Sequence, residues 1–289
     1  MSDPLLTAPD LPPYPWLEIA NPQVRLGRVR HALFDFDGTI SVIRRGWEAI
    51  MIALMVEMIC EGQPQPAGLE DEVAAYVDRS TGILTIEQMR WLEEAVLRYG
   101  LAQQPRSARE YKRLYNERML QPVRARLAQL ESTGSHAATD TLMIAGVKAF
   151  LEGLYARGVT LYLASGTDHV FVQEEATALG VSELFGAHIY GARDESQADS
   201  KERIIQRILA ENDLHGAELL VVGDGPVEIF HARSREAIAL GIAANEEQRR
   251  GLDPRKRARL LAAGADFIIT DFSHSQELLD MFTQETPKP

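Results

Sequence analysis

Apolar and polar positions divide the chain into two textures. His31–Phe36 (HALFDF) is a short apolar run that ends in acidic and glycine residues, which predicts a buried strand feeding a loop. From about 44 to 131 the apolar positions recur at helical spacing, in segments near 44–60, 69–79, 85–99 and 106–131. Turn signals separate these segments: Gly62-Gln63-Pro64-Gln65-Pro66, Arg79-Ser80-Thr81-Gly82, and Gly100 through Pro105. Glu131-Ser132-Thr133-Gly134-Ser135 closes the region. Beyond about 140 the chain alternates. A helix over Thr141–Ala156 stops at Gly158, and Val159–Ala164 is a buried strand. A helix over 168–179, a strand near 187–190 and a helix over 200–211 come next. The strand Ala217–Val222, a helix over 226–235, the strands Ala237–Ala243 and Phe267–Thr270 with a helix between them, and a helix near 275–283 complete the pattern. Such alternation predicts an α/β fold whose parallel sheet is covered on both faces. The all-helical block is then an insertion after the first strand. The implied division is 1–40 with 140–289 for the core and 41–139 for the insert.

The first 30 residues lack a periodic signal and hold Pro4, Pro9, Pro12, Pro13, Pro15 and Pro22, so they read as an extended leader able to wrap the core. They show neither a basic n-region nor an apolar h-region, so no export signal is expected. The most apolar stretch, Trp47–Cys60, is broken by Glu48 and Glu57 and is too short for an isolated membrane span. Length agrees with two units: 289 residues give a prior of about two domains. Hydrophobic residues are 45% and charged residues 25%, which excludes wholesale disorder. The net charge of −12 argues against nucleic acid or an anionic membrane as the main partner, yet leaves room for a small anionic substrate at a local positive site. One cysteine, Cys60, excludes an intrachain disulfide and fits a reducing cytoplasm. Oligomeric state is not legible.

In parallel sheets ligands sit at the carboxyl ends of the strands. After the first strand comes Asp35-Phe36-Asp37-Gly38-Thr39, after the second Ser165-Gly166-Thr167-Asp168, and after the third Gly223-Asp224-Gly225-Pro226-Val227-Glu228. Lys201 opens a helix in Asp199-Ser200-Lys201. Each signal has a plain structural reading on its own: Asp-Gly as a turn, Ser-Gly as a helix cap, Lys201 as a solvated lysine. Together they form a coherent set. Crowded carboxylates need a cation, and hard oxygen ligands suit Mg²⁺. Backbone N–H groups at Ser165-Gly166 and the helix start beyond them suit a phosphate.

This series — DFDGT, a strand-end Ser, a Lys, then GDG with a following Glu — resembles the haloacid dehalogenase superfamily of phosphohydrolases, whose core is a Rossmann-like sheet. The helical insert resembles the cap of phosphoglycolate phosphatase-like and β-phosphoglucomutase-like members. The resemblance implies Asp35 as nucleophile, forming an aspartyl-phosphate, and Asp37 as general acid and then base. It implies Mg²⁺ held by the Asp35 carboxylate, the Asp37 backbone carbonyl and Asp224. Ser165, Gly166, Thr39 and Lys201 would bind the phosphoryl group, with Lys201 also offsetting charge in catalysis. Glu228 stands where the family usually has Asp. Its extra methylene leaves both direct ligation and a contact through water open.

The cap is expected to supply substrate identity. The stretch Arg79–Thr85 resembles the cap loop that drops onto the site, with Gly82 as its turn and Arg79 and Ser80 as candidate contacts. Arg44 and Arg45 follow the first motif at the hinge and are candidates to reach a second anionic group. Trp47, Met51, Met55 and Met58 sit at helical spacing and read as core. An EF-hand is excluded because Gly38 is fourth from Asp35 and residue 39 is Thr. The seven histidines form no ligand pair. Asp37 disfavours the dehalogenase branch. The expected activity is hydrolysis of a small phosphorylated metabolite, a sugar phosphate or a phosphoglycolate-like ester. The alternatives are a phosphomutase and a silent binding protein.

Overall fold

The computed structural model describes residues 6–7, 11–26, 29–133, 139–193 and 200–283. Parts of the proline-rich leader (1–5, 8–10 and 27–28), the end of the 131–135 turn signal and Asp199 lie outside the described residues. In chain order the elements are β1 (Leu6–Thr7), β2 (Glu18–Ile19), β3 (Arg25–Leu26) and β4 (His31–Phe34), then the helices α1 (Trp47–Cys60), α2 (Leu69–Arg79), α3 (Thr85–Tyr99) and α4 (Ala108–Thr133). After a short 3₁₀ turn come α5 (Val147–Ala156), β5 (Thr160–Asp168), α6 (His169–Ala178), α7 (Ser182–Phe185), β6 (Ile189–Ala192) and α8 (Lys201–Glu211). The chain ends in β7 (Leu219–Gly223), α9 (Pro226–Arg233), β8 (Ile238–Ile242), α10 (Pro254–Ala263), β9 (Phe267–Ile269) and α11 (Ser275–Thr283).

The main sheet runs β2-β9-β8-β7-β4-β5-β6. β4 lies in its interior, parallel to both β5 and β7. All four residues of β4 are buried, as a strand sandwiched between helices requires. Its side chains alternate between two apolar clusters: Ala32 and Phe34 join Phe150, Leu154 and Phe282 on one face. Leu33 joins Ile204, Ile208, Ile229 and Leu260 on the other. The first cluster continues without a break into the cap, through Met51, Leu54, Leu92, Tyr111 and Met119. Core and cap therefore share one apolar interior. No helix among the described residues is long and apolar enough to cross a membrane.

The structure departs from the sequence pattern at three places. The leader contributes β2, which adds to the sheet edge antiparallel to β9, so the sheet is mostly rather than wholly parallel. The helix expected over 141–156 starts only at Val147. Upstream of it, Met143 bridges Ser41 and the Ile144 N–H donates to the Ile40 carbonyl, so the returning chain lies against the departing one. Gly146 then turns at φ +77°, where a Cβ would lie 2.3 Å from the Phe272 carbonyl oxygen. The strand expected to stop at Ala164 runs on to Asp168, because pairing with β6 resumes there beyond a register shift.

Candidate active site

Three strand ends meet beneath the cap. Asp35 follows β4, Ser165 and Gly166 lie within β5, and Asp224 follows β7. After Asp37 the chain folds back: Gly38 adopts φ +77° and its N–H donates to the Ser41 carbonyl at 2.8 Å. A Cβ at Gly38 would lie 2.4 Å from Asp224 Oδ2, so conformation and space both demand glycine there. This turn brings Asp35 and Asp37 to one pocket. The pocket is about 60 Å³ and is walled by Asp35, Asp37, Ser165, Gly166, Thr167, Lys201 and Asp224 from the core. From the hinge and cap come Arg44, Trp47, Thr81, Gly82, Ile83, Thr85, Gln88 and Tyr115. One water needs about 10–15 Å³ of such space, so the pocket has room for a phosphoryl-sized group.

Lys201 is 4% exposed. Its Nζ lies 2.8 Å from Asp35 Oδ1 and 2.9 Å from Glu228 Oε2. Burial works against its charge, but the Asp35 and Glu228 carboxylates outweigh that and hold the ammonium protonated far above neutral pH. Lys201 is thus a buried cation bridging two acids and not a solvated helix-start lysine. Burial lifts the Asp35 carboxyl well above the ordinary Asp range, with Lys201 opposing. Asp37 is also lifted by burial, against the pull of Arg44, Thr167 and Ser165. Asp37 Oδ2 accepts hydrogen bonds from Ser165 Oγ at 3.2 Å and Thr167 Oγ1 at 3.1 Å. Asp37 Oδ1 is buried with no hydrogen-bond partner, its nearest cation being Arg44 Nε at 3.9 Å.

One oxygen each of Asp35, Asp224 and Glu228 lie within 4.8 Å of one another, all three residues being buried. Hard oxygen donors crowded this closely fit a small divalent cation such as Mg²⁺. Both Glu228 oxygens are already engaged: Oε2 with Lys201, and Oε1 with the Gly225 N–H at 2.8 Å. Its longer side chain therefore reaches past the acids to anchor the lysine. Asp224 Oδ2 meets Lys256 Nζ at 2.6 Å, and Lys256 in turn meets Glu246 at 2.7 Å. Burial opposes the Asp224 anion, yet Lys256 and Arg259 outweigh it and hold the carboxyl below the ordinary range.

The cap loop covers the core wall closely. A Cβ on Gly166 would lie 2.2 Å from the Ile83 carbonyl oxygen, and one on Gly82 would lie 2.8 Å from Glu228 Oε2. Thr85 Oγ1 donates to the Gly166 carbonyl at 3.2 Å. Several expected contacts lie elsewhere. Ser165 and Gly166 belong to a strand, and the helix expected beyond them starts at His169. Thr39 is fully buried behind the turn, its hydroxyl without a hydrogen-bond partner, and does not line the pocket. Arg79 lies over the Tyr76 ring, 5.1 Å from its centroid, because it closes α2 on the far side of the loop. Ser80 is buried but donates to the Val77 carbonyl, and the pocket wall begins one residue later. Arg45 pairs with Glu247 at 3.3 Å on a neighbouring cleft. Arg44, one residue earlier, is the arginine on the pocket wall, clamped by Glu175 at 2.6 Å.

Sequence reasoning missed Thr167, Gln88, Tyr115, Glu175, Lys256 and Glu246. Thr167 had a signal, since it shares a strand face with Ser165. Lys256 had one too: Asp253-Pro254 marks a helix start just beyond the end of β8. Gln88 and Tyr115 carried none, because cap helices reach the pocket only through docking.

Comparison with known proteins agrees with this geometry. The model of the haloacid dehalogenase-like hydrolases matches residues 29–234. A 5′-nucleotidase of Pseudomonas aeruginosa is 29% identical over 121 residues, 41% of this chain and 54% of that protein. The chain thus aligns with little more than half of that relative. A phosphoglycolate phosphatase of Yersinia pestis is 24% identical over 76% of this chain and 83% of its own. Among solved structures, a predicted phosphoglycolate phosphatase from Haemophilus somnus superposes with a TM-score of 0.58 at 16% identity, covering 87% of this chain and 98% of that one.

Proposed function

The chain belongs to the haloacid dehalogenase-like hydrolases, and from that premise we propose that it is a Mg²⁺-dependent phosphatase acting on a small phosphate monoester through an aspartyl-phosphate at Asp35. The observation that carries this reading is the division of labour between the two acids of the first motif. Asp35 is held by a buried ammonium 2.8 Å away. Asp37 keeps one oxygen buried and free of hydrogen bonds.

Lys201 works against the burial that lifts Asp35 and favours its carboxylate, the form able to attack phosphorus, and Glu228 fixes the lysine in place. Gly166 and Lys201 bind the phosphoryl oxygens, where fixed donors lower the barrier most, and the Ser165 hydroxyl joins them by turning its O–H from Asp37 to the phosphoryl group. Burial favours the protonated form of Asp37, so Oδ1 is suited to deliver a proton to the leaving oxygen. The resulting carboxylate then takes a proton from the water that hydrolyses the aspartyl-phosphate. Ser165 and Thr167 hold Asp37 through its other oxygen. Asp35, Asp224 and the Asp37 backbone carbonyl would hold the metal, with Glu228 behind them. When bound, Mg²⁺ supplies positive charge that offsets the crowding of phosphate against these acids. The relatives' names, a 5′-nucleotidase and a phosphoglycolate phosphatase, support the monoester class.

The test is phosphate release from a panel of monoesters with Mg²⁺, repeated in EDTA and with Asp35→Asn. Release that needs both the metal and Asp35 is expected. No release from any ester would favour a silent binding protein.

A further inference from the structure

The two walls of the pocket differ in charge. The core wall supplies Asp35, Asp37, Asp224 and Lys201, while the wall contributed by the cap helices and loop is neutral: Trp47, Thr81, Gly82, Ile83, Thr85, Gln88 and Tyr115. The cations around the pocket already have carboxylate partners. Arg44 is clamped by Glu175 through contacts of 2.6, 3.0 and 3.2 Å, within a buried pair. Arg45 is turned to Glu247 on another cleft. Lys112 of α4 pairs with Asp168, also outside the pocket. Lys256 and Arg259 are held on Asp224. Outside the described residues, the only Lys or Arg in the sequence are Arg28 and Lys288.

The neutral wall nevertheless offers hydrogen bonds. Gln88 is 4% exposed and spends one N–H on Ser80 Oγ at 3.1 Å. Its carbonyl and second N–H remain for a ligand. Tyr115 lines the pocket, and its hydroxyl has no hydrogen-bond partner among the described residues. Burial lifts this phenol, so it stays neutral and able both to donate and to accept.

We infer that the leaving group of the substrate is uncharged and hydroxyl-bearing, as in a polyol or sugar monophosphate, and that Gln88 and Tyr115 recognise it. This rests on the phosphatase reading above and narrows its substrate class. A carboxylate or second phosphate on the leaving group would be buried under the cap against the already paired Arg44, and an unpaired buried charge is strongly penalised. A hydroxyl in the same place satisfies groups that would otherwise stay unpaired, which is how a polar site discriminates strongly. Bisphosphates are disfavoured for the same reason, and with them a mutase cycle that uses a bisphosphate.

The test compares glycerol 3-phosphate with 3-phosphoglycerate, two esters of equal length that differ by CH₂OH against COO⁻, with p-nitrophenyl phosphate as a common reference. We expect kcat/KM to favour glycerol 3-phosphate by about 10²-fold. A preference of tenfold or more supports the inference. Anything less, including hydrolysis of the reference ester alone, overturns it while the phosphatase reading stands. No phosphate from any of the three overturns the phosphatase reading instead. In Tyr115→Phe the ratio of glycerol 3-phosphate to reference-ester kcat/KM should fall by roughly 5- to 10-fold, the size of one hydrogen bond. An unchanged ratio removes Tyr115 from recognition. The wild-type comparison stands whether or not that variant folds.

Discussion

The core side and the cap side of the pocket are built from different materials. Asp35, Asp37, Asp224 and Lys201 project from strand ends and one helix start, and each carboxylate or ammonium is answered by a buried partner of the opposite charge or by hydroxyls. Tyr115, Gln88, Thr81 and Trp47 come from three cap helices and a loop, and bring aromatic faces and neutral hydrogen-bonding groups. On the proposed function, chemistry common to all phosphate monoesters falls to the sheet side, and recognition of what the phosphate is attached to falls to the cap side.

Substitutions on the core side should therefore lower turnover on every ester. The largest loss is expected for Asp35→Asn, roughly 10⁴-fold or more, by analogy with removing a catalytic nucleophile. Circular dichroism should show a retained fold, and steady-state phosphate release measures the loss. Asp37→Asn should cost an alkyl phosphate about 10²–10⁴-fold, the range for general acid–base catalysis, and p-nitrophenyl phosphate markedly less. A phenolate leaves with little help from a proton. Equal losses on the two ester types would remove Asp37 from proton transfer.

The same residue sets a pH dependence. Burial raises the Asp37 carboxyl above the ordinary Asp range. Its acid form therefore persists to higher pH than for an exposed Asp, and is lost as pH rises through that lifted value. Activity on alkyl esters should fall on this basic limb, and the limb should disappear in Asp37→Asn. A pH–rate profile of kcat/KM on both ester types tests this directly.

Lys201→Ala should cost on the order of 10²-fold in turnover, the scale of one preorganised charge or donor at the transition state. A variant within threefold of wild type would reduce Lys201 to a structural role. The second buried lysine behaves differently in this account. Lys256 answers Asp224 and Glu246 without lining the pocket. Lys256→Met should leave Glu246 unpaired and Asp224 with Arg259 alone, and lower stability by about 3–5 kcal/mol. Mg²⁺ should then raise the melting temperature more in the variant than in wild type, because binding to the folded state alone stabilises it. Differential scanning fluorimetry with and without Mg²⁺ reads that difference.

The contrast between the two walls also decided what was legible. Period and turn chemistry located nearly every element of the core, because a buried parallel strand is a continuous apolar run and its end is marked by Gly and Asp. The strand-end rule then carried Asp35, Asp37, Ser165 and Asp224 to one place, the resemblance added Lys201 from a helix start, and the structure puts all five on the pocket wall. It did not show that Ser165 lies inside a longer strand, since the register shift before Asp168 depends on pairing with β6. On the cap side the loop was visible but its contacts were not. Arg44 and Arg45 are neighbours in sequence, yet one faces the pocket and the other a separate cleft. Helical spacing marked Trp47 as core, and it does pack against the apolar cluster, but docking also brings it to the pocket. Orientation of the cap is a tertiary outcome, so no local pattern assigns Gln88 or Tyr115 to a substrate.

The central claim is that phosphate passes through Asp35. It is tested most directly by acid-quenching the enzyme during turnover of a labelled ester with Mg²⁺ and mapping the phosphoryl group by peptide mass spectrometry. The account predicts label on the peptide containing Asp35, lost in Asp35→Asn. Label on another residue, or turnover that persists in Asp35→Asn, would contradict it.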